Sequence, residues 1–283
     1  MYEMTEVTGD DGVRQQNPMP SLWLMAAEFP RWAGEVGLNR AMTSLLPRRN
    51  LGQGRPVLVV PGIGANDGMT KRLRDHLRAN GFHVHGWRLG RNKGLTNDIL
   101  NGLSDRLLDL HERHDQPVSL VGWSFGGLLC RWLAHEHTDK VRHVVCLGAP
   151  WRPEGERTRV TGLFKNFAKV FGVSEGALDT LEQLRQPLPV PTTAIFSRSD
   201  GLLHWSSCTV DGPDTENIAV HSSHVGLVSS PLVLAALTDR LAHIDSASHA
   251  PFSWRGCVQR MFVETPTSST APAQGLWDTA SVV

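Results

Sequence analysis

Residues 118–133 read Val-Ser-Leu-Val-Gly-Trp-Ser-Phe-Gly-Gly-Leu-Leu-Cys-Arg-Trp-Leu, and their reading decides the fold. Val118 to Val121 is a short apolar run of strand type. Gly122-Trp123-Ser124-Phe125-Gly126 is a GxSxG pattern, and Leu128, Leu129, Trp132 and Leu133 follow it at helical spacing. The five-residue pattern alone recurs by chance in about one chain in ten of this length. The strand–turn–helix frame gives it meaning. Flanking glycines let the backbone turn sharply, so that Ser124 projects above the carboxyl end of the strand.

Outward from this stretch the same alternation continues. Pro56 to Val60 is wholly apolar and β-branched and ends in Pro61-Gly62, as a buried parallel strand does. Met69, Leu73 and Leu77 predict a helix, stopped by Asn80-Gly81. Residues 82–88, 141–147, 194–196 and 218–220 read as further strands, with helical runs over 125–137 and 231–243. Strand alternating with helix predicts the α/β class, a mostly parallel sheet flanked by helices. The interval from Gly148 to Ala194 is too long for a simple crossover. Within it Val160, Leu163, Phe164, Phe167, Val170 and Phe171 form an apolar helical stripe, with Lys165 and Lys169 on other faces. A small helical cap inserted between strands, over about 152–189, is expected there.

The ends are different. Residues 1–20 are polar and read as a flexible tail. From Ser21 the chain carries Leu22, Trp23, Met25, Ala26, Phe29, Trp32 and Val36, and Pro30 is expected to split this stretch into two short helices. Their apolar side chains are expected to pack on the main domain, because bare they would form a liability. Residues 255–283 turn Ser/Thr/Pro/Ala-rich without periodicity and read as a disordered tail, leaving 21–254 as the folded domain.

Composition sets outer bounds. With 40% hydrophobic and 20% charged residues among 283, the chain is of globular type. Lys+Arg and Asp+Glu stand at 28 each, so no bulk basicity points to nucleic acid. Cys130, Cys146, Cys208 and Cys257 are widely spaced and read as reduced thiols. The first residues lack an apolar signal core and no run of eighteen apolar residues occurs, so a cytoplasmic protein without a transmembrane segment is expected.

A serine hydroxyl is a poor nucleophile unless a base lies in reach. On a sheet of this kind the expected chain order is Ser, then Asp or Glu, then His. Asp200 follows the 194–196 strand, and His224 follows the 218–220 strand. Both therefore belong to the same carboxyl edge as Ser124. The rivals are His221, His204 and His243 for the base, and Asp211 and Asp214 in a Gly/Pro turn for the acid. Backbone N–H groups of Phe125 and of Ile63, in the loop after 56–60, are the candidate oxyanion donors. Trp123, Phe164 and Phe167 are candidates for the substrate pocket.

Metal readings are weak. His111 and His114 are one residue short of the HExxH spacing that sets two ligands on one helix face. His135 and His137 diverge, and His83 and His85 share a strand face without a third ligand nearby in sequence. No metal or other cofactor is expected.

The pieces VLVVPGIGANDGMTKRLRDHLRANGFHVHGWRLGRNKG, VGWSFGGLLCRWLA, VRHVVCLGAPW, SRSDGLLHW, ENIAVHSSHVGLVSSP and LTDRLAH together resemble a group of bacterial α/β-hydrolases described as esterases or lipases. The resemblance covers roughly residues 54–150 and 190–254. It implies a triad of Ser124, Asp200 and His224 with Ile63 and Phe125 at the oxyanion hole. Cys130, where a small residue is usual, and the chain beyond Arg255 depart from it. The expected activity is hydrolysis of a small-molecule carboxylic ester or other acyl substrate. An acyltransferase or thioesterase with the same triad is the alternative, and a non-catalytic binding protein on the same scaffold the alternative of another class.

Overall fold

A computed structural model of the chain describes residues 20–150, 184, 186–244 and 251–262. Six strands, β1 (Pro56–Val60), β2 (His83–Gly86), β3 (Val118–Trp123), β4 (Val141–Leu147), β5 (Thr192–Ser197) and β6 (Thr215–Val220), lie in the order β2-β1-β3-β4-β5-β6. Every neighbouring pair is parallel. β1, β3 and β5 are buried at every position, as strands covered on both faces must be.

The helices α1 (Leu22–Ser44), α2 (Lys71–Ala79), α3 (Asn97–His114), α4 (Phe125–Glu136), α5 (Pro231–His243) and α6 (Trp254–Phe262) surround this sheet. On one face Leu103 and Leu107 of α3 and Leu129 and Leu133 of α4 pack with Leu58, Leu120 and Val144. On the other, Leu73 and Leu77 of α2 and Leu234 and Leu237 of α5 pack with Val57, Val59, Val121 and Val145. Alternate residues of each strand thus supply both layers, each buried side chain contributing about 1.5–3 kcal/mol of transfer free energy.

The chain runs from β1 outward to β2, then back past β1 to β3 and onward. The strand order therefore reverses between β1 and β3, and an open α/β sheet leaves a crevice at the carboxyl ends there. Val60 pairs with Gly122, and Trp123 with Leu147. The turn after β1 and the residue Ser124 after β3 are therefore neighbours.

The structure corrects the expectations for two regions. Residues 22–44 form one helix, with Ser21 Oγ accepting from the Leu24 N–H at 3.2 Å and Pro30 inside it. A proline in a helix interior costs about 3 kcal/mol through its missing N–H and its ring clash. Here tertiary contacts on both sides of it, from Glu28, Arg31, Glu35 and Asn39, hold the helix together. The helix also faces the other way from the expectation. Glu28 and Asn39 are its buried residues, while Trp23 is 80% exposed, Phe29 63% and Leu38 60%.

The second correction concerns the tail expected from residue 255. Residues 254–262 form α6, in which Cys257 and Met261 are buried against Ala235. Arg260 clasps the buried Asp239 of α5 at 2.6 and 2.8 Å. A helical pair of apolar residues and one arginine suffices to dock a short segment that composition alone assigns to a tail. The four cysteines are free and buried. Among the described residues no helix is long and apolar enough to cross a membrane. The proposed cap, with Phe164 and Phe167, lies outside the described residues except at its C-terminal end, and so do the first nineteen residues and those beyond 262.

Candidate active site

Ser124 stands between β3 and α4 with φ 53° and ψ −126°. A non-glycine residue reaches positive φ only where its surroundings enforce it. The neighbouring glycines show how. A Cβ at Gly122 would lie 2.4 Å from the Gly126 oxygen, and one at Gly126 would lie 2.4 Å from the Val60 oxygen and 2.6 Å from that of Pro61. Strand, helix and the β1 turn are thus in backbone contact, and only glycine fits. The Ser124 N–H donates to the Leu147 carbonyl at 2.8 Å, which carries the β3–β4 ladder one residue past the strand.

Asp200 and His224 meet at the ends of β5 and β6. His224 Nδ1 and Asp200 Oδ2 are 2.6 Å apart, both side chains buried. The other oxygen of Asp200 accepts the N–H groups of Leu202 and Leu203, each at 2.8 Å, so the carboxylate is fixed in orientation. Burial alone would lower the pKa of His224. The charge and hydrogen bond of Asp200, and then the charge of Glu28, outweigh it, and the net shift is upward from the ordinary value.

Two contacts tie this pair to the serine turn. The Trp123 indole N–H donates to the His224 carbonyl at 3.1 Å, with the rings 5.9 Å apart. A Cβ at Gly148, the residue after β4, would lie 3.5 Å from His224 Cε1 and Nδ1. The imidazole therefore sits beside the strand end adjacent to Ser124. Trp123, a candidate pocket residue by sequence, is buried beneath the His224 turn and spends its polar atom on it.

The rivals lie elsewhere. His221 is exposed. His204 bonds Ser206 Oγ at 2.7 Å and packs on Trp205, and His243 bonds the Asp239 carbonyl at 2.8 Å. Asp211 and Asp214 precede β6 at its amino end, on the opposite edge of the sheet.

The loop after β1 approaches the serine closely, a Cβ at Gly62 being 3.2 Å from that of Ser124. The side chains of Ile63 and Phe125 meet at Gly94, whose added Cβ would lie 3.7 and 3.9 Å from them. The buried Asn92 organises this loop. Its side-chain amide donates to the Pro61 carbonyl at 2.7 Å, its own N–H donates to the Ala65 carbonyl at 2.8 Å, and its carbonyl accepts from the Gly64 N–H at 2.8 Å.

Asn92 was not singled out from the sequence, and nothing local marks it. The residues that α1 brings to the site were not singled out either: Glu28, Arg31 and Glu35, all directed at the loops that carry Asp200 and His224. Their signal was available as three charged residues at spacings of three and four in the otherwise uncharged run 22–38. The sequence pairs His114 with His111, but the structure brings it to His83 and His85 instead. His114 Nε2 lies 2.9 Å from His85 Nε2, and its Nδ1 lies 3.4 Å from His83 Nδ1. Its two nitrogens face different neighbours, so the three rings do not converge on one point.

A family model described as the alpha/beta hydrolase fold matches residues 105–173, the stretch from α3 through the serine turn and β4. The chain has the α/β-hydrolase fold. Solved structures agree. A lipolytic enzyme of the metagenome-derived pair LipS and LipT superposes with a TM-score of 0.53 at 16% identity, over 67% of this chain and 94% of its own. The monoacylglycerol lipase of Paleococcus ferrophilus superposes with a TM-score of 0.51 at 16% identity, over 67% and 96%. In sequence, the chain is 36% identical over 93 residues to the pimeloyl-[acyl-carrier protein] methyl ester esterase of Chromobacterium violaceum. That match takes in 32% of this chain and only 36% of the esterase.

Proposed function

We propose that this α/β-hydrolase is a serine-dependent carboxylic ester hydrolase acting through an acyl-enzyme. The observation that carries the reading is the buried 2.6 Å His224–Asp200 pair beside a serine held at positive φ. Strain of that kind costs on the order of 1–3 kcal/mol and concentrates at functional sites.

In this reading Ser124 Oγ attacks the ester carbonyl while His224 Nε2 takes its proton. Asp200 holds the proton on Nδ1, which fixes the tautomer and stabilises the imidazolium. The N–H groups of Ile63 and Phe125 receive the developing oxyanion. The imidazolium then protonates the leaving alcohol, and water, deprotonated by His224, releases the acid. The names of the esterase and lipase relatives support an ester as the substrate. Phe164 and Phe167 are proposed to line the acyl pocket.

The test is direct. A fluorophosphonate should label the protein at Ser124, with aryl esters of graded chain length hydrolysed by the same sample. Absence of both in folded protein overturns the reading. Trimming Phe164 or Phe167 to Ala should change the ratio of kcat/KM between short and long acyl esters, each buried methylene being worth about 0.8 kcal/mol. An unchanged ratio puts the pocket elsewhere.

A further inference from the structure

The catalytic pair proposed above hangs on two loops, and a third carboxylate joins them. Glu28 of α1 is fully buried. Its Oε2 accepts the N–H of Gly201, the residue after Asp200, at 3.1 Å. Its Oε1 accepts the N–H of Val225, the residue after His224, at 3.1 Å. One carboxylate thus spans the acid loop and the base turn, each through the peptide immediately following the functional residue.

The surrounding residues make the bridge close and rigid. A Cβ at Gly201 would lie 2.4 Å from the Leu24 carbonyl oxygen and 2.8 Å from Glu28 Oε2. A Cβ at Gly226 would lie 2.1 Å from Glu35 Oε2. Glycine at both positions is what lets α1 approach. Further along the same helix face, Glu35 accepts from the Ser223 N–H at 2.9 Å and its hydroxyl at 2.6 Å. Arg31 donates to the Ser199 carbonyl at 2.6 Å and stands 3.6 Å from Glu35.

A buried carboxylate is costly to keep, and its hydrogen bonds come from two backbone amides. Packing alone does not call for it. A glutamine there has one acceptor oxygen, and its NH2 would face one of the two donors. The charge has its own consequence. The groups facing Glu28 are Asp200 and His224 across the loops, with Arg31 and Glu35 on its own helix engaged at Ser199 and Ser223. Desolvation first, and then the neighbouring Asp200, raise the pKa of Glu28, while the two backbone bonds and His224 oppose the rise. In turn the Glu28 charge helps hold a proton on His224.

We propose that Glu28 is a positioning residue of the catalytic pair: it bridges the backbones behind Asp200 and His224 and adds a second negative charge behind the imidazolium. The inference rests on Ser124, Asp200 and His224 acting as proposed above, but it can be tested separately from that reading. NMR titration of the His224 imidazole needs no substrate, and the rate of fluorophosphonate labelling at Ser124 needs no turnover.

Two variants separate the bridge from the charge. Glu28→Gln keeps the volume but loses the charge and one of the two bridging bonds. Its His224 pKa should fall, and labelling should slow by about tenfold or more. Glu28→Asp keeps the charge and is one methylene too short to reach both amides. It should retain more of the upward His224 shift while labelling slows comparably. If Glu28→Gln does not fold, the aspartate variant carries the test. Wild-type labelling rate and an unmoved His224 titration in a folded variant overturn the positioning role. Wild-type protein that is not labelled, with a His224 pKa that still falls in Glu28→Gln, would overturn the hydrolase reading and leave the coupling of Glu28 to His224 intact.

Discussion

Helices α4 and α1 both reach the sheet edge that carries Ser124, Asp200 and His224, and they do so with opposite chemistry. α4 starts at the serine turn and buries Leu128, Leu129, Cys130, Leu133 and Ala134 in the sheet. α1 buries Glu28 and Asn39 and turns Leu22, Trp23, Phe29 and Leu38 outward. The first is held by apolar area, the second by hydrogen bonds to particular loop atoms. Area is nondirectional and tolerates drift, whereas a bridge between two amides fixes loops to a fraction of an ångström. The scaffold uses the former, and the Asp200–His224 pair the latter.

The largest effect expected from this division is chemical. Ser124→Ala, at the head of α4, should leave the fold intact and lower ester turnover by about three orders of magnitude or more, because triad members act as a unit. His224→Ala should come close to it, and His221→Ala, on an exposed ring, should cost far less. Purified, folded variants ranked the other way would move the base to His221.

Stability gives the next contrast. Leu129→Ala in α4 removes a fully buried side chain and should cost about 2–5 kcal/mol in denaturant unfolding. Leu38→Ala in α1, at a position 60% exposed, should fall within about 0.5 kcal/mol of wild type. Equal losses would mean that the outward face of α1 is covered, and the comparison would fail.

The pH profile sharpens the α1 side. A base must be unprotonated to accept the Ser124 proton, and the His224 pKa is raised. The acidic limb of kcat/KM should therefore lie above the ordinary imidazole value of about 6.5, with activity lost as pH falls through it. Asp200→Asn removes a negative neighbour and should move whatever limb survives to lower pH. A wild-type limb at or below the ordinary value contradicts the arrangement.

The smallest effect concerns Gly34, in the middle of α1, where an added Cβ meets nothing within 4 Å. Gly34→Ala should stabilise by about 0.5–1 kcal/mol, through helix propensity alone. The same change at Gly122 or Gly126 puts a Cβ 2.4 Å from backbone oxygen and should destabilise the serine turn strongly.

The same contrast explains what the sequence makes legible. The parallel sheet, the serine turn and the approach of Asp200 to His224 follow from apolar periodicity and from loops at strand ends, signals written locally. Pro30 misled because helix breaking is a local rule, while the contacts that keep α1 whole come from residues far along the chain. The apolar side chains of α1 misled because burial is read by default from hydrophobicity, and here the charged face docks. Asn92 and Glu28 bond to backbone atoms, which carry no side-chain signature at all. Helix α6 was hidden by the low-complexity sequence that follows it.

The Glu28 bridge also sets an order in time. Its two bonds reach across 173 and 197 residues, from near the start of the chain to the loops after β5 and β6. During synthesis α1 emerges long before Gly201 and Val225 exist, and closing so long a loop costs entropy that local contacts do not repay. Strands β1 to β4 and α4 can form from nearer neighbours, while the brace behind Asp200 and His224 waits for β5 and β6. A newly made molecule can therefore pair its first four strands before the Glu28 bridge can close.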